Sequence, residues 1–197
     1  MFDFKKNDVI KKVANPLNAT KNSVLEFKAG NLRDAGLFRL KKMIEFDIEG
    51  KSLVRYLLYS NVDDTECVFD VYPINNNRIE TYVYTLEDTI PFSEEFLEDV
   101  AGQLYLTTPS GDEFIRSIMQ NDDDRIEGVR AKAKIYDVET EEIERVFRVK
   151  IWEYERNADG ITEYLTLEMD SDNGLFKIFR GEAIEDIFYN FYQTSNN

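Results

Sequence analysis

Two stretches, Asp122-Asp123-Asp124 and Asp170-Ser171-Asp172-Asn173-Gly174, have residue types and spacing that suggest chemistry, since grouped oxygen ligands suit calcium or magnesium. The second departs from an EF-hand loop: its glycine stands fifth instead of sixth, and no glutamate occupies the place of the twelfth ligand. No metal ligand set is therefore assigned. A carboxylate pair doing acid and base work would need two side chains in one cleft with separated pKa values, which a sequence does not display.

The chain has no histidine. That removes imidazole-based triads, the Cys-His pair and nearly all His-ligated metal sites. Nine glycines form neither a dinucleotide fingerprint nor a phosphate-binding loop. Cys67, alone inside an apolar run, reads as a small buried side chain, and its solitude excludes an internal disulfide and fits a reducing cytoplasm. No catalytic residue and no cofactor is expected, so the chain reads as a non-enzyme.

Non-covalent contact is what remains. A net charge of -15 disfavours nucleic-acid backbones and anionic membrane surfaces and favours a basic partner protein. The expected contact residues are Asp122, Asp123 and Asp124 in an acidic loop, and Glu141, Glu142 and Glu144 at a hairpin tip. To these is added an aromatic set, Trp152 and Tyr154 facing Tyr164, which is a minor core under a helix or else an interaction patch. Charge at the tip also serves to keep a strand edge from pairing with another chain.

The elements that position these residues are mostly strands. Ile143, Arg145, Phe147, Val149 and Ile151, then Ile161, Glu163, Leu165, Leu167 and Met169, recur at the two-residue period of a strand face. Asp159-Gly160 between the runs suits a tight reversal. The expectation is a hairpin whose odd-numbered residues face the core, with Val146, Arg148, Lys150, Trp152, Tyr154, Thr162, Tyr164, Thr166 and Glu168 on the other side. Glu49-Gly50 marks a second hairpin, and further strands read at 23–28, 66–72, 78–86, 104–107, 113–119, 129–138 and 175–179. Ser93 caps a short helix over 93–101 that Gly102 ends in a left-handed conformation. Helical spacing predicts a short helix within residues 2–14 and a C-terminal helix over 182–192, the latter with Ile184, Ile187, Phe188 and Phe191 on one face.

Several short pieces, in order, resemble the landmarks of a known family. These are Ala35-Gly36-Leu37-Phe38-Arg39-Leu40, Asp88-Thr89-Ile90-Pro91 followed by Ser93, Gly111-Asp112-Glu113-Phe114-Ile115-Arg116, and Trp152-Glu153-Tyr154-Glu155-Arg156 with Glu163-Tyr164-Leu165. Across roughly residues 31 to 179 they resemble the YjfK-like family of uncharacterised bacterial cytosolic proteins. That family has no assigned activity, so the resemblance transfers no site residues. Its members often belong with membrane-stress proteins resembling phage-shock factors, which implies a cytoplasmic partner protein.

The resulting expectation is an α+β fold: about ten strands, mainly antiparallel, with the mid-chain helix and the C-terminal helix packed on the sheet. One domain spans 1–197, with a subdivision near 121–128 as the variant. In function it is an acidic cytoplasmic binding or accessory protein acting through protein contact, with no secretory signal and no membrane insertion. The alternatives are an immunity protein or nucleic-acid mimic covering a basic partner, and a carboxylate-only metal-dependent hydrolase.

Overall fold

The computed structural model describes residues 9–13, 15–20, 23–28, 36–60, 64–75, 78–117, 127–137 and 139–195. Within them the chain forms β1 (Val9–Val13), β2 (Ser23–Phe27), β3 (Gly36–Ile48), β4 (Lys51–Tyr59), β5 (Glu66–Asn75) and β6 (Arg78–Pro91). After a single helical turn come β7 (Tyr105–Thr107), β8 (Glu113–Arg116), β9 (Val129–Asp137), β10 (Ile143–Ala158), β11 (Ile161–Asp170), β12 (Leu175–Ala183) and β13 (Tyr189–Ser195). Tight reversals dictate antiparallel neighbours. At Glu49-Gly50 and at Asp159-Gly160 both residues have positive φ, and each turn joins two long strands through two residues.

Eight of these strands close on themselves in the order β3-β4-β5-β6-β12-β11-β10-β9, because β9 pairs with β10 on one side and with β3 on the other. Every pair in the ring is antiparallel. Closure removes the edges that an open sheet of this length would expose. Four strands from before residues 121–128 and four from after them complete the ring, so the two halves of the chain share one barrel.

Two outer layers cover parts of the wall. On one side β2 continues from β3 and carries β13 and β1, and the layer packs Leu25, Phe27, Tyr189 and Phe191 onto Tyr56, Leu58, Phe69, Val71 and Val83. On the other, the helical turn α1 (Glu94–Phe96), continued as a π turn over Leu97–Ala101, and the β7-β8 hairpin cover Trp152, Tyr154, Leu165, Leu167 and Phe176. Ser93 caps that turn as expected, its Oγ accepting the Phe96 N–H at 3.0 Å. Gly102, in contrast, is right-handed, with φ -80.

The α+β expectation is overturned: the described chain is almost entirely antiparallel β, with thirteen strands, one short helix and two 3-10 turns. No C-terminal helix forms. Residues 182–183 end β12, Asp186–Phe188 is a 3-10 turn, and β13 follows. On a helix Ile187 and Phe191 would share a face, yet Ile187 is 59% exposed and Phe191 1%. The strand alternation of Tyr189 and Phe191, both buried against Phe69, outweighs the helical spacing. The N-terminal helix is likewise replaced over residues 9–13 by β1, paired with β13.

The hairpin faces are also corrected. A two-residue turn pairs Ala158 with Ile161, so odd residues of β10 oppose even residues of β11: Ile151 faces Glu168, and Trp152 faces Leu167. Val149, Ile151 and Glu153 share the barrel interior with Thr166 and Glu168, while Trp152, Tyr154, Leu165 and Leu167 lie under the outer layer. Closure also demands close approach at one point. A Cβ on Gly181 would fall 2.0 Å from the Val83 carbonyl oxygen and 2.6 Å from the Tyr84 ring. Gly181→Ala is expected to cost about 1–3 kcal/mol through overpacking, read as a lowered denaturation midpoint in urea; an unchanged midpoint would show that the β6-β12 contact yields freely.

Candidate functional site: a charged barrel interior and its acidic tyrosine rim

The barrel waist holds charge where apolar packing would be ordinary. Arg55 on β4, between Leu53 and Leu57 on the same face, donates from Nε to Asp70 Oδ1 at 2.7 Å and from Nη2 to Asp70 Oδ2 at 2.8 Å. Its Nη1 lies 2.5 Å from Glu168 Oε1, an ion pair whose geometry falls short of a directed hydrogen bond. The Phe46 and Phe179 rings approach the guanidinium at 5.0 and 4.9 Å, so its faces meet π clouds while its edge meets carboxylates. Burial by itself would lower the Arg55 pKa, but Asp70 and Glu168 outweigh it and hold the group well above its ordinary value. Burial raises Glu168, partly offset by Arg55.

Glu153 on β10 stands one register step nearer the rim, opposite Thr166. Burial pushes its carboxyl up to about 7, against the hydrogen bond that Tyr72 donates at 3.3 Å; Asp70 and Glu168 push in the same direction as burial, and Arg55 opposes. Tyr72 rises well above the usual phenol, first through burial and then through Glu153.

Around Glu153 the rim is built of tyrosines. Tyr72 and Tyr82 meet edge to face at 5.4 Å, and Tyr82 and Tyr164 do so at 5.1 Å. Burial raises the Tyr164 pKa first, and Glu155, Glu80 and Glu153 add to it; Tyr82 is raised by burial, Tyr164, Glu80 and Glu153. Glu80 and Glu153 thus act on both rings, and Glu155 acts on Tyr164. Arg78 pairs with Glu80 at 2.8 Å. One row of the sheet then leads outward from the rim, from Tyr164 through Glu155 to Ile115 and Tyr105, the last two being 42% and 54% exposed.

The residues expected from the sequence are scattered by this arrangement. Asp122, Asp123 and Asp124 lie outside the described residues. Glu141, Glu142 and Glu144 are exposed at the β9-β10 tip, around an Ile143 that is 52% exposed, and Glu144 pairs with Lys42. Trp152 and Tyr154, expected at a partner-facing surface, have no exposed area. They form the minor core that was the other expectation, under a helical turn whose Ala101 carbonyl accepts the Tyr154 hydroxyl at 2.7 Å. Only Tyr164 belongs to the rim.

Asp170 is spent on structure, accepting the Arg145 fork at 2.9 and 3.0 Å and the N–H groups of Asp172 and Asn173. Among the described residues no three carboxylates or thiols gather in a way that would hold a metal ion, and no helix is long and apolar enough to cross a membrane. Sequence reasoning missed Arg55, Asp70, Glu153 and Glu168, although Arg55 and Asp70 sit at the inward parity of strands otherwise apolar on that face. Compared with known proteins, the chain matches no family model, no curated protein and no solved structure.

Proposed function

We propose that the protein is a non-catalytic binding protein that takes a basic segment of a partner protein at the tyrosine rim of the barrel. The action of Glu80 and Glu153 on both Tyr82 and Tyr164, and of Glu155 on Tyr164, supports this most directly. Counting interior and rim together, among the described residues Asp70, Glu168, Glu153, Glu80 and Glu155 meet Arg55, Arg78 and, at Glu168, Lys177, so a lysine or arginine from outside meets an excess of negative charge beside aromatic faces. The exposed Ile115 and Tyr105 extend the contact with apolar area. The same reading places the protein in the cytoplasm, where the buried thiol of Cys67 suits a reducing medium. The YjfK-like resemblance points to a cytoplasmic partner as well.

One observation favours a second reading, a carboxylate-based hydrolase: Glu153 titrates near neutrality, as an acid-base group would. Its nearest carboxylates, Asp70 and Glu168, are engaged by Arg55, which favours the binding role.

A lysine-rich synthetic peptide is the direct probe. The parent should bind it at low ionic strength and release it toward 1 M salt, as the Debye length shrinks from about 10 Å to about 3 Å. Glu80→Gln with Glu155→Gln should weaken binding about tenfold, measured by fluorescence anisotropy, while Glu141→Gln, Glu142→Gln and Glu144→Gln together should leave it within twofold. Equal affinity in the parent and the rim variant would reject the rim as the contact; loss in the tip variant alone would move the contact to the β9-β10 tip.

A further inference from the structure

Against a net charge of -15, one face of the barrel is basic. Arg130, Lys132 and Lys134 alternate along the outward side of β9, about 6.7 Å apart at twice the strand rise. Directly across on β10, Arg148 opposes Lys132 and Lys150 opposes Arg130. Like charges placed directly opposite destabilise a sheet; Glu127 offsets this between Arg130 and Lys150, and among the described residues no ion pair offsets it between Lys132 and Arg148. The buried contacts of the two outer layers lie elsewhere on the wall, on β3 to β6 on one side and on β11, β12 and the Trp152–Tyr154 stretch of β10 on the other.

Carboxylates also lie near this face, each with one oxygen engaged. Glu127 takes Arg130 at 2.9 Å and Lys150 at 3.4 Å. Asp47, cross-strand from Lys132, accepts the Gly50 N–H at 2.9 Å, and Glu45, cross-strand from Lys134, accepts the Tyr136 hydroxyl at 2.6 Å. Among the described residues Lys132, Lys134 and Arg148 have no ion-pair partner. A groove of about 690 Å³ runs beside them, lined by Arg130, Lys132 and Arg148, with Asp47, Glu49 and Asp172 also on its wall.

We propose that this groove binds a phosphate-bearing ligand. The Arg148 guanidinium and the Lys132 ammonium, with the Arg130 fork that is shared with Glu127, offer N–H donors that the several oxygens and double charge of a phosphate match. Asp47, Glu49 and Asp172 on the groove wall oppose any anion in proportion to its charge, so binding rests on the direct donors of Lys132 and Arg148. The net charge repels such a ligand at long range; binding is carried by close contacts and is salt-sensitive.

The test uses the full chain and isothermal titration with inorganic pyrophosphate at low ionic strength. The parent should bind it; Lys132→Gln with Arg148→Gln should weaken binding at least tenfold, both sites being exposed so that the far-ultraviolet circular dichroism stays that of the parent. Asp47→Asn keeps the acceptor for Gly50 and removes a repulsive charge, so it should tighten binding several-fold, an effect that a purely structural role would not produce. Vesicles containing an anionic phospholipid, compared with zwitterionic ones, form a second arm. Capture by the anionic vesicles that Lys132→Gln/Arg148→Gln abolishes identifies a lipid headgroup as the source of the phosphate, and pyrophosphate binding without capture identifies a soluble phosphate. Absence of both, equal binding in parent and double variant, or binding of duplex DNA alone overturns the proposal.

Discussion

Arg55→Met is expected to lower stability by about 3–5 kcal/mol, which for a chain of this size is a fall of roughly 6–20 °C in melting temperature. The loss does not measure the strength of the ion pair. With Arg55 gone, Asp70 and Glu168, both in the barrel waist with under a tenth of their surface exposed, lose the cation that pairs with them. Isolated buried carboxylates escape that cost by taking up protons. The deficit should therefore shrink as pH falls toward 5. Arg55→Lys should recover part of the loss only, because a single ammonium cannot make the fork to Asp70 and reach Glu168 together.

Removing the whole set is the informative contrast. Arg55→Met with Asp70→Val and Glu168→Met replaces the charges by apolar volume, and buried ionic triads exchanged in this way are often neutral or stabilising. The triple variant should melt well above Arg55→Met alone. A melt of the single variant within 2 °C of the parent at pH 7.5, a difference of under about 1 kcal/mol, would mean that the waist is hydrated enough to solvate its carboxylates.

How much of this was legible in the sequence depended on whether the signal was local. The Glu49-Gly50 and Asp159-Gly160 reversals and the Ser93 cap rest on neighbouring backbone demands, and each appears where the residues place it. The face assignment of the long hairpin failed although its cause was visible: a two-residue turn sets odd residues against even ones, which brings Glu168 inward beside Ile151. Reading both runs as odd-inward hid the charged interior. Ring closure had no such signal, because the β9 partnership with β3 joins residues some ninety positions apart and is set by the match of Ile44, Phe46, Ala131 and Ala133 in three dimensions. The C-terminal strand was missed because Ile184, Ile187 and Phe191 fit a helical period equally well on paper; only the covering role against Tyr56 and Phe69 selects the extended form.

Glu153→Gln should stabilise the protein above pH 7 and flatten its stability profile between pH 5 and 7. Burial raises the folded-state pKa of Glu153 to about 7 from an ordinary 4.5. Below pH 4.5 both folded and unfolded chains hold the proton, so the group is silent there. Between 4.5 and 7 the folded chain keeps a proton that the unfolded chain has released, and stability falls as pH rises, by at most about 3 kcal/mol in all. Above 7 both states are ionised and the deficit is constant. Charges that face Glu153 act on the same balance: Asp70 and Glu168 raise its pKa, Arg55 lowers it, and the Tyr72 hydroxyl favours the ionised form by donating to it. Glutamine copies the protonated carboxyl, keeps an acceptor for Tyr72 and cannot ionise. Urea midpoints for parent and variant should coincide near pH 4.5 and separate progressively to pH 7.5, with the variant the more stable. Parallel profiles would show that Glu153 ionises at its ordinary pKa through contact with water at the rim. The binding reading is then tested by the same variant, since a site that recruits a basic group through an ionised Glu153 should bind the lysine-rich peptide more weakly in Glu153→Gln and should lack the rise in affinity expected of the parent from pH 6 to 8.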